Sequence, residues 1–141
     1  MRYLIAGGEA VIFHGHARLT GDVNLFYDRS PANTARLYAA LAEFWGGSVP
    51  GLGSSQDLSE AGILTQYGVP PNRIDLINDI DGVPFDQAWS GRIEASMASA
   101  TEGSVSVPYI GLAELIQNKV AAARPKDLDD VAYLRRAQKR V

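Results

Sequence analysis

The chain has no cysteine. That absence excludes disulfides, thiolate metal sites and a cysteine nucleophile, and it fits a reducing cytoplasm, where we expect the protein to reside. Long apolar runs are missing as well. The first, Tyr3 to Ala6, is far too short for a signal peptide or a membrane span and is cut off at once by Gly7 and Gly8. No membrane association is expected. Basic charge is not in excess: the formal net charge is -3 and the pI is near 5.3. A global attraction for nucleic acid is therefore unsupported, which leaves an RNA partner only a local basic patch. Neither G-x-G-x-x-G nor Gly-Lys-Ser/Thr occurs. No repeat, low-complexity tract or interdomain linker divides the chain.

What remains is the composition of a globular protein, with 141 residues, 46% apolar and 21% charged. This predicts one domain, residues 1–141, of mixed α and β structure. Tyr3 to Ala6 reads as a buried strand, Glu9 to His14 as a short helix ending at Gly15, and Asp22 to Tyr27 as a second strand. Ser30 and Pro31 open a helix whose stripe holds Leu37, Tyr38, Leu41, Phe44 and Trp45, all assigned to the core, and Gly46-Gly47 closes it. A mobile loop is expected from Gly46 to Ser55. Ile63 to Tyr67 and Arg73 to Ile77 predict a hairpin, Pro84 to Trp89 a short helix, and Ile93 to Ala98 with Ser104 to Val107 two further strands. Two helices follow, Gly111 to Ala123 and Pro125 to the end, the latter with Arg135, Arg136, Lys139 and Arg140 near its C-terminus. The abrupt first strand predicts an apolar surface suited to a second copy, hence a possible homodimer.

Side-chain alternation places Asp22 and Asn24 on one face of their strand, and Arg73, Asp75 and Ile77 on one face of theirs. Magnesium takes hard oxygen ligands, usually one or two carboxylates with phosphate and water completing the shell. Asp22, Asn24 and Asp75 are candidate ligands of that type. Gly7 and Gly8 lack side chains, so an anion can approach the backbone and the free N–H groups of the helix they open. Thr20 either hydrogen-bonds a phosphate or caps the start of the second strand. Arg18 either contacts phosphate or lies in solvent. His14 and His16 read as helix-end residues bonded to nearby backbone. Lys119, Lys126, Asp127, Asp129 and Asp130 read, by charge pattern alone, as polar helix faces and caps.

Leu4-Ile5-Ala6-Gly7-Gly8 followed by Thr20-Gly21-Asp22-Val23-Asn24-Leu25 resembles the opening of small bacterial nucleotidyltransferase-like proteins of the DNA polymerase β superfamily. These are relatives of the minimal nucleotidyltransferases and of abortive-infection nucleotidyltransferase toxins from toxin–antitoxin systems. The likeness continues at Arg73-Ile74-Asp75-Leu76, at Leu115-Ile116-Gln117-Asn118-Lys119 and at Arg124-Pro125-Lys126-Asp127-Leu128-Asp129-Asp130. It implies an α+β nucleotidyltransferase fold, a mixed β-sheet flanked by helices with helices at the C-terminus. It also implies binding of nucleoside triphosphate with Mg2+ and transfer of a nucleotidyl group to an RNA, protein or small-molecule hydroxyl. Gly7 and Gly8 would hold triphosphate, Asp22 would bind metal, and Asp75 would help activate the acceptor. Lys119 and Lys126 would contact the nucleotide. Asn24 departs from the pattern, because the family usually has an acid there. The alternative is a catalytically inactive module of the same fold that engages a partner protein, as an antitoxin-like or regulatory subunit.

Overall fold

In the computed structural model of the chain, residues 1–139 are described; Arg140, expected among the cations of the last helix, and Val141 lie outside the described residues. Among them the elements run β1 (Tyr3–Ala6), α1 (Gly7–Phe13), β2 (Asp22–Tyr27), α2 (Pro31–Phe44), α3 (Ser55–Ser59), β3 (Leu64–Tyr67), β4 (Arg73–Ile77), α4 (Phe85–Ser90), β5 (Ile93–Ser99), β6 (Gly103–Tyr109), α5 (Leu112–Ala122) and α6 (Pro125–Lys139). One mixed sheet has the order β3-β4-β2-β1-β6-β5. β2 lies antiparallel to β1 and parallel to β4, and β6 lies parallel to β1. The expected hairpin forms as β3–β4, with β4 as its attachment to β2. No described helix is long and apolar enough to cross a membrane.

Both faces of the sheet are packed. Leu4, Ala6, Phe26, Ile110, Leu115 and Leu134 belong to the larger core, with helices α1, α4, α5 and α6 contributing to it. Tyr27, Leu37, Leu58 and Leu76 form the second, under α2 and α3. At about 1.5–3 kcal/mol for each fully buried large side chain, these contacts fix β1 and β2, whose polar ends build the site.

Several expectations require correction. α1 begins at Gly7 rather than Glu9, because the strand passes straight into the helix through Gly7 at φ +63°, a left-handed conformation that glycine adopts without strain. The segment Gly46 to Ser55 is not simply a loop: Val49 is buried, and α3 follows immediately, capped by Ser54 and Asp57 in a reciprocal box. Phe44 and Trp45 are not core. Phe44 is 77% exposed, since the buried line of α2 runs through Leu37 and Leu41, and Trp45 packs only at the rim against Tyr67. Ser30 occupies the N-cap position, but its hydroxyl makes no capping bond. Val120 and Leu128, apolar residues of the last two helices, are exposed. Their places inside α5 and α6 are taken by Lys119, Asp127 and Asp130, which are 4%, 0% and 1% exposed. These are therefore not polar-face residues, and their burial follows from pairing with one another.

Candidate functional site

The parallel register of β2 and β4 sets Asp22 beside Arg73 and Asn24 beside Asp75. On the other side of β2, Ala6 pairs with Asn24, so the Gly7 turn lies directly over that amide. A side chain cannot be added there: a Cβ on Gly8 would lie 2.5 Å from the Thr20 hydroxyl, and one on Gly7 would collide with Asn24. The turn, β2 and β4 thus form one wall of a cavity of about 500 Å³. Gly7, Gly8, Thr20, Asp22, Asn24, Asp75, Lys119 and Lys126, the eight residues singled out from sequence, all line it.

Arg73 dominates the electrostatics of the sheet wall. Its guanidinium lies 2.7 Å from Asp22 Oδ2 and, through Nε, 3.1 Å from Asp75 Oδ1. Burial opposes ionisation of Asp22, but hydrogen bonds and charge from Arg73, with help from Asp75 and Thr20, hold its pKa below the usual carboxylate range. For Asp75 the balance is reversed. Burial and the adjacent Asp22 push its pKa up despite Arg73. The pair is thus split into a more and a less acidic member, as neighbouring carboxylates in low dielectric are.

Two buried oxygens on this wall accept no well-aligned hydrogen bond: Asn24 Oδ1, and Asp75 Oδ1, whose 3.1 Å contact with Arg73 Nε is an ion pair without hydrogen-bond geometry. Unsatisfied buried acceptors are costly, about 1–3 kcal/mol each, and such acceptors suit a cation. The oxygens of Asp22, Asn24 and Asp75 therefore fit a hard divalent ion in donor type. One of the three is an amide, and no group of three His, Cys, Asp or Glu side chains able to hold an ion occurs among the described residues. A cation here must also share both carboxylates with Arg73.

The helical wall is different. Lys119 Nζ lies 3.0 Å from Asp127 Oδ1 and 3.3 Å from Asp130 Oδ2. Arg124 adds contacts to Asp127 at 2.6 Å and from its backbone N–H at 3.2 Å. Arg18 is neither loose nor free for phosphate, since it bonds Asp130 through Nε and NH2 at 2.9 and 3.0 Å. His14 bonds the Ile110 carbonyl at 2.7 Å, as a backbone-satisfying histidine should. His16 instead meets an acid: its Nδ1 lies 3.2 Å from Asp130, and its ring stacks on Tyr133. Local sequence showed no acid nearby because Asp130 is supplied by α6. Lys126 is exposed at the cavity rim. Thr20 donates toward Asp22, consistent with a role at the start of β2.

Sequence reasoning missed Arg73 as a site residue, although its i, i+2 spacing from Asp75 places both on one strand face. Arg124, Asp79 and Asp81, not singled out from sequence, also line the cavity, as does Arg18, which was. They sit in connections between elements, where no periodicity marks them. A scan against protein-family models gave no match to this chain, and a search of curated proteins gave none either.

Proposed function

We propose that this chain is a nucleotidyltransferase-fold protein that binds a nucleoside triphosphate with Mg2+ in the cavity and transfers a nucleotidyl group to a hydroxyl acceptor, weakly because Asn24 stands where an acid is expected. The observation that carries the reading is the buried, unpartnered Asn24 Oδ1 beside Asp22 and Asp75, the latter's Oδ1 meeting Arg73 Nε at 3.1 Å without hydrogen-bond alignment, all facing a glycine turn. Asp22, Asn24 and Asp75 would hold the ion, which supplies charge stabilisation of the transferring phosphoryl group. The Gly7-Gly8 turn approaches the phosphates through its backbone, and Lys126 and Arg73 offer charge to them. Asp75, the less acidic of the two carboxylates, accepts the proton of the attacking hydroxyl. The new bond forms between the acceptor oxygen and the α-phosphorus as the α–β bridging bond breaks and pyrophosphate leaves.

An amide at position 24 supplies an oxygen without charge. Metal stabilisation is worth several kcal/mol and each 1.36 kcal/mol is tenfold in rate, so losing part of it costs orders of magnitude. Calorimetric titration with Mg2+ and nucleotide tests the reading, first on the native chain and then on Asn24→Asp. Binding in the native chain that tightens in the variant is expected. No binding by either at millimolar concentration removes the catalytic assignment.

A second reading is favoured by Arg73. Its guanidinium already contacts both carboxylates and offsets part of their charge, as it would in an inactive module that uses the fold to engage a partner protein. That reading expects Asp22→Ala to leave partner engagement intact, and an RNA acceptor would then be irrelevant to function.

A further inference from the structure

The two edges of the sheet are unlike. β3 is four residues long, whereas β5 has seven. β5 pairs one-to-one with β6 from Ile93–Tyr109 to Ser99–Gly103, with no bulge to turn its outer edge away. It contains no proline, lysine or arginine. Its neighbour Arg92 is held by Glu94 at 2.7 Å and lies over the Trp89 ring, so it does not guard the edge. Natural edge strands are normally protected by one of these devices, because open N–H and C=O groups recruit another strand. β5 has none of them beyond the single acid Glu94.

We propose that β5 is a homodimerisation edge, pairing antiparallel with β5 of a second copy about a two-fold axis at Ser96. The inference is independent of the nucleotide site. Centring on Ser96 sets Ile93 opposite Ser99, Glu94 opposite Ala98, Ala95 opposite Met97, and Ser96 opposite itself. Each pair shares a face, so the apolar side of one copy meets the apolar side of the other. Ile93 and Met97, 44% and 40% exposed, then lie in one band with Ala95. That band continues onto Val107 and Val105, which pair with Ala95 and Met97 in β6. The small Ala95 faces the long Met97 twice, once from each copy. The one charge on the strand, Glu94, faces the exposed, neutral Ala98 and never its own symmetry mate. On the polar side, Ser96 already bonds Ser104 within the hairpin and Glu94 bonds Ser106, so neither needs an acid or base from outside. Self-pairing in this register is therefore free of the like-charge and face mismatches that would forbid it.

Sedimentation equilibrium over a wide concentration range tests the proposal with two opposite charges at one position. Ala98→Glu sets a carboxylate against Glu94 in both symmetry-related pairs and is expected to weaken the dimer about tenfold; Ala98→Lys is expected to strengthen it similarly. Both changes are at an exposed site of the hairpin, and circular dichroism checks that the monomer is folded. Because the chain has no cysteine, Ser96→Cys gives a single thiol at the axis. It should cross-link into a dimer with a short bismaleimide, whereas Ser99→Cys, several residues from its own mate, should not. A protein that is monomeric throughout overturns the proposal. So does a dimer whose dissociation constant ignores both charges, or one that cross-links equally at both thiols.

Discussion

Two acid pairs are treated in opposite ways: Asp22 and Asp75 line the cavity, whereas Asp127 and Asp130 lie buried behind the cations that line its helical wall. Asp127 and Asp130 on α6 receive Lys119, Arg124 and Arg18, several well-aligned donors for two buried carboxylates. Asp22 and Asp75 on the sheet share one guanidinium, and a buried oxygen of Asp75 and another of Asn24 go without a hydrogen bond. A fully satisfied buried network specifies structure, whereas a half-satisfied one is tolerated only where something compensates. The helical cluster therefore holds α5 against α6, and the sheet cluster is where a ligand can gain free energy by binding. The helical cluster holds one lysine and two arginines, and the sheet cluster a single arginine. What differs is the number of donors each carboxylate receives.

The largest test removes the central cation from each cluster. Lys119→Met leaves Asp127 and Asp130 buried beside an apolar chain, which should cost about 3–5 kcal/mol. Its Tm should fall by roughly 10 °C or more. Arg73→Met acts on a partly exposed side chain at the cavity mouth and should cost about 1 kcal/mol or less. Thermal melts of the two variants in chelator decide the matter, and equal losses would erase the distinction.

A smaller effect separates the clusters by pH. Burial opposes ionisation of Asp127, but Arg124 and Lys119 overcome it and lower its pKa. Its stabilisation is therefore present above the unfolded value of about 3.9 and is lost as pH falls through the lower folded value. Asp75, with its raised pKa, has the opposite sign: its contribution is fully present below about 3.9 and is lost as pH rises through the raised folded value. Urea unfolding from pH 3 to 7 should show a steep acid limb that Asp127→Asn flattens. In Asp75→Asn the decline on the near-neutral side should shrink instead.

The sheet cluster was the more legible in sequence, and for a physical reason. Strand alternation is a local rule, so Asp22 with Asn24, and Arg73 with Asp75, could be placed on common faces from spacing alone. The turn glycines were equally local. The helical cluster depends on pairs such as Arg18 with Asp130, 112 positions apart, which no local pattern encodes. Charge at Lys119, Asp127 and Asp130 consequently looked like a solvated face, though these are among the least exposed residues of their helices. Phe44 and Trp45 misled in the reverse direction. They continue a helical stripe past the end of the surface it packs on, and periodicity does not say where that surface stops.

Asp75→Asn sharpens the contrast furthest with the smallest change in stability. The buried Asp75 stands beside Asp22, with the shared Arg73 guanidinium and a hydrogen bond from Gln66 failing to offset burial and the neighbouring acid. Replacing it with an amide removes the like-charge repulsion and keeps the shape, so stability measured in chelator should stay level or rise by up to about 1 kcal/mol. Calorimetric binding of a divalent cation should nevertheless be lost, because one of only two carboxylate donors is gone. The same substitution at Asp127 must destabilise, since there it removes a charge that Lys119 and Arg124 are arranged around. If Asp75→Asn instead destabilises as Asp127→Asn does, both acid pairs serve the fold alone. A carboxylate whose removal leaves the fold intact but abolishes cation binding is retained for what it binds.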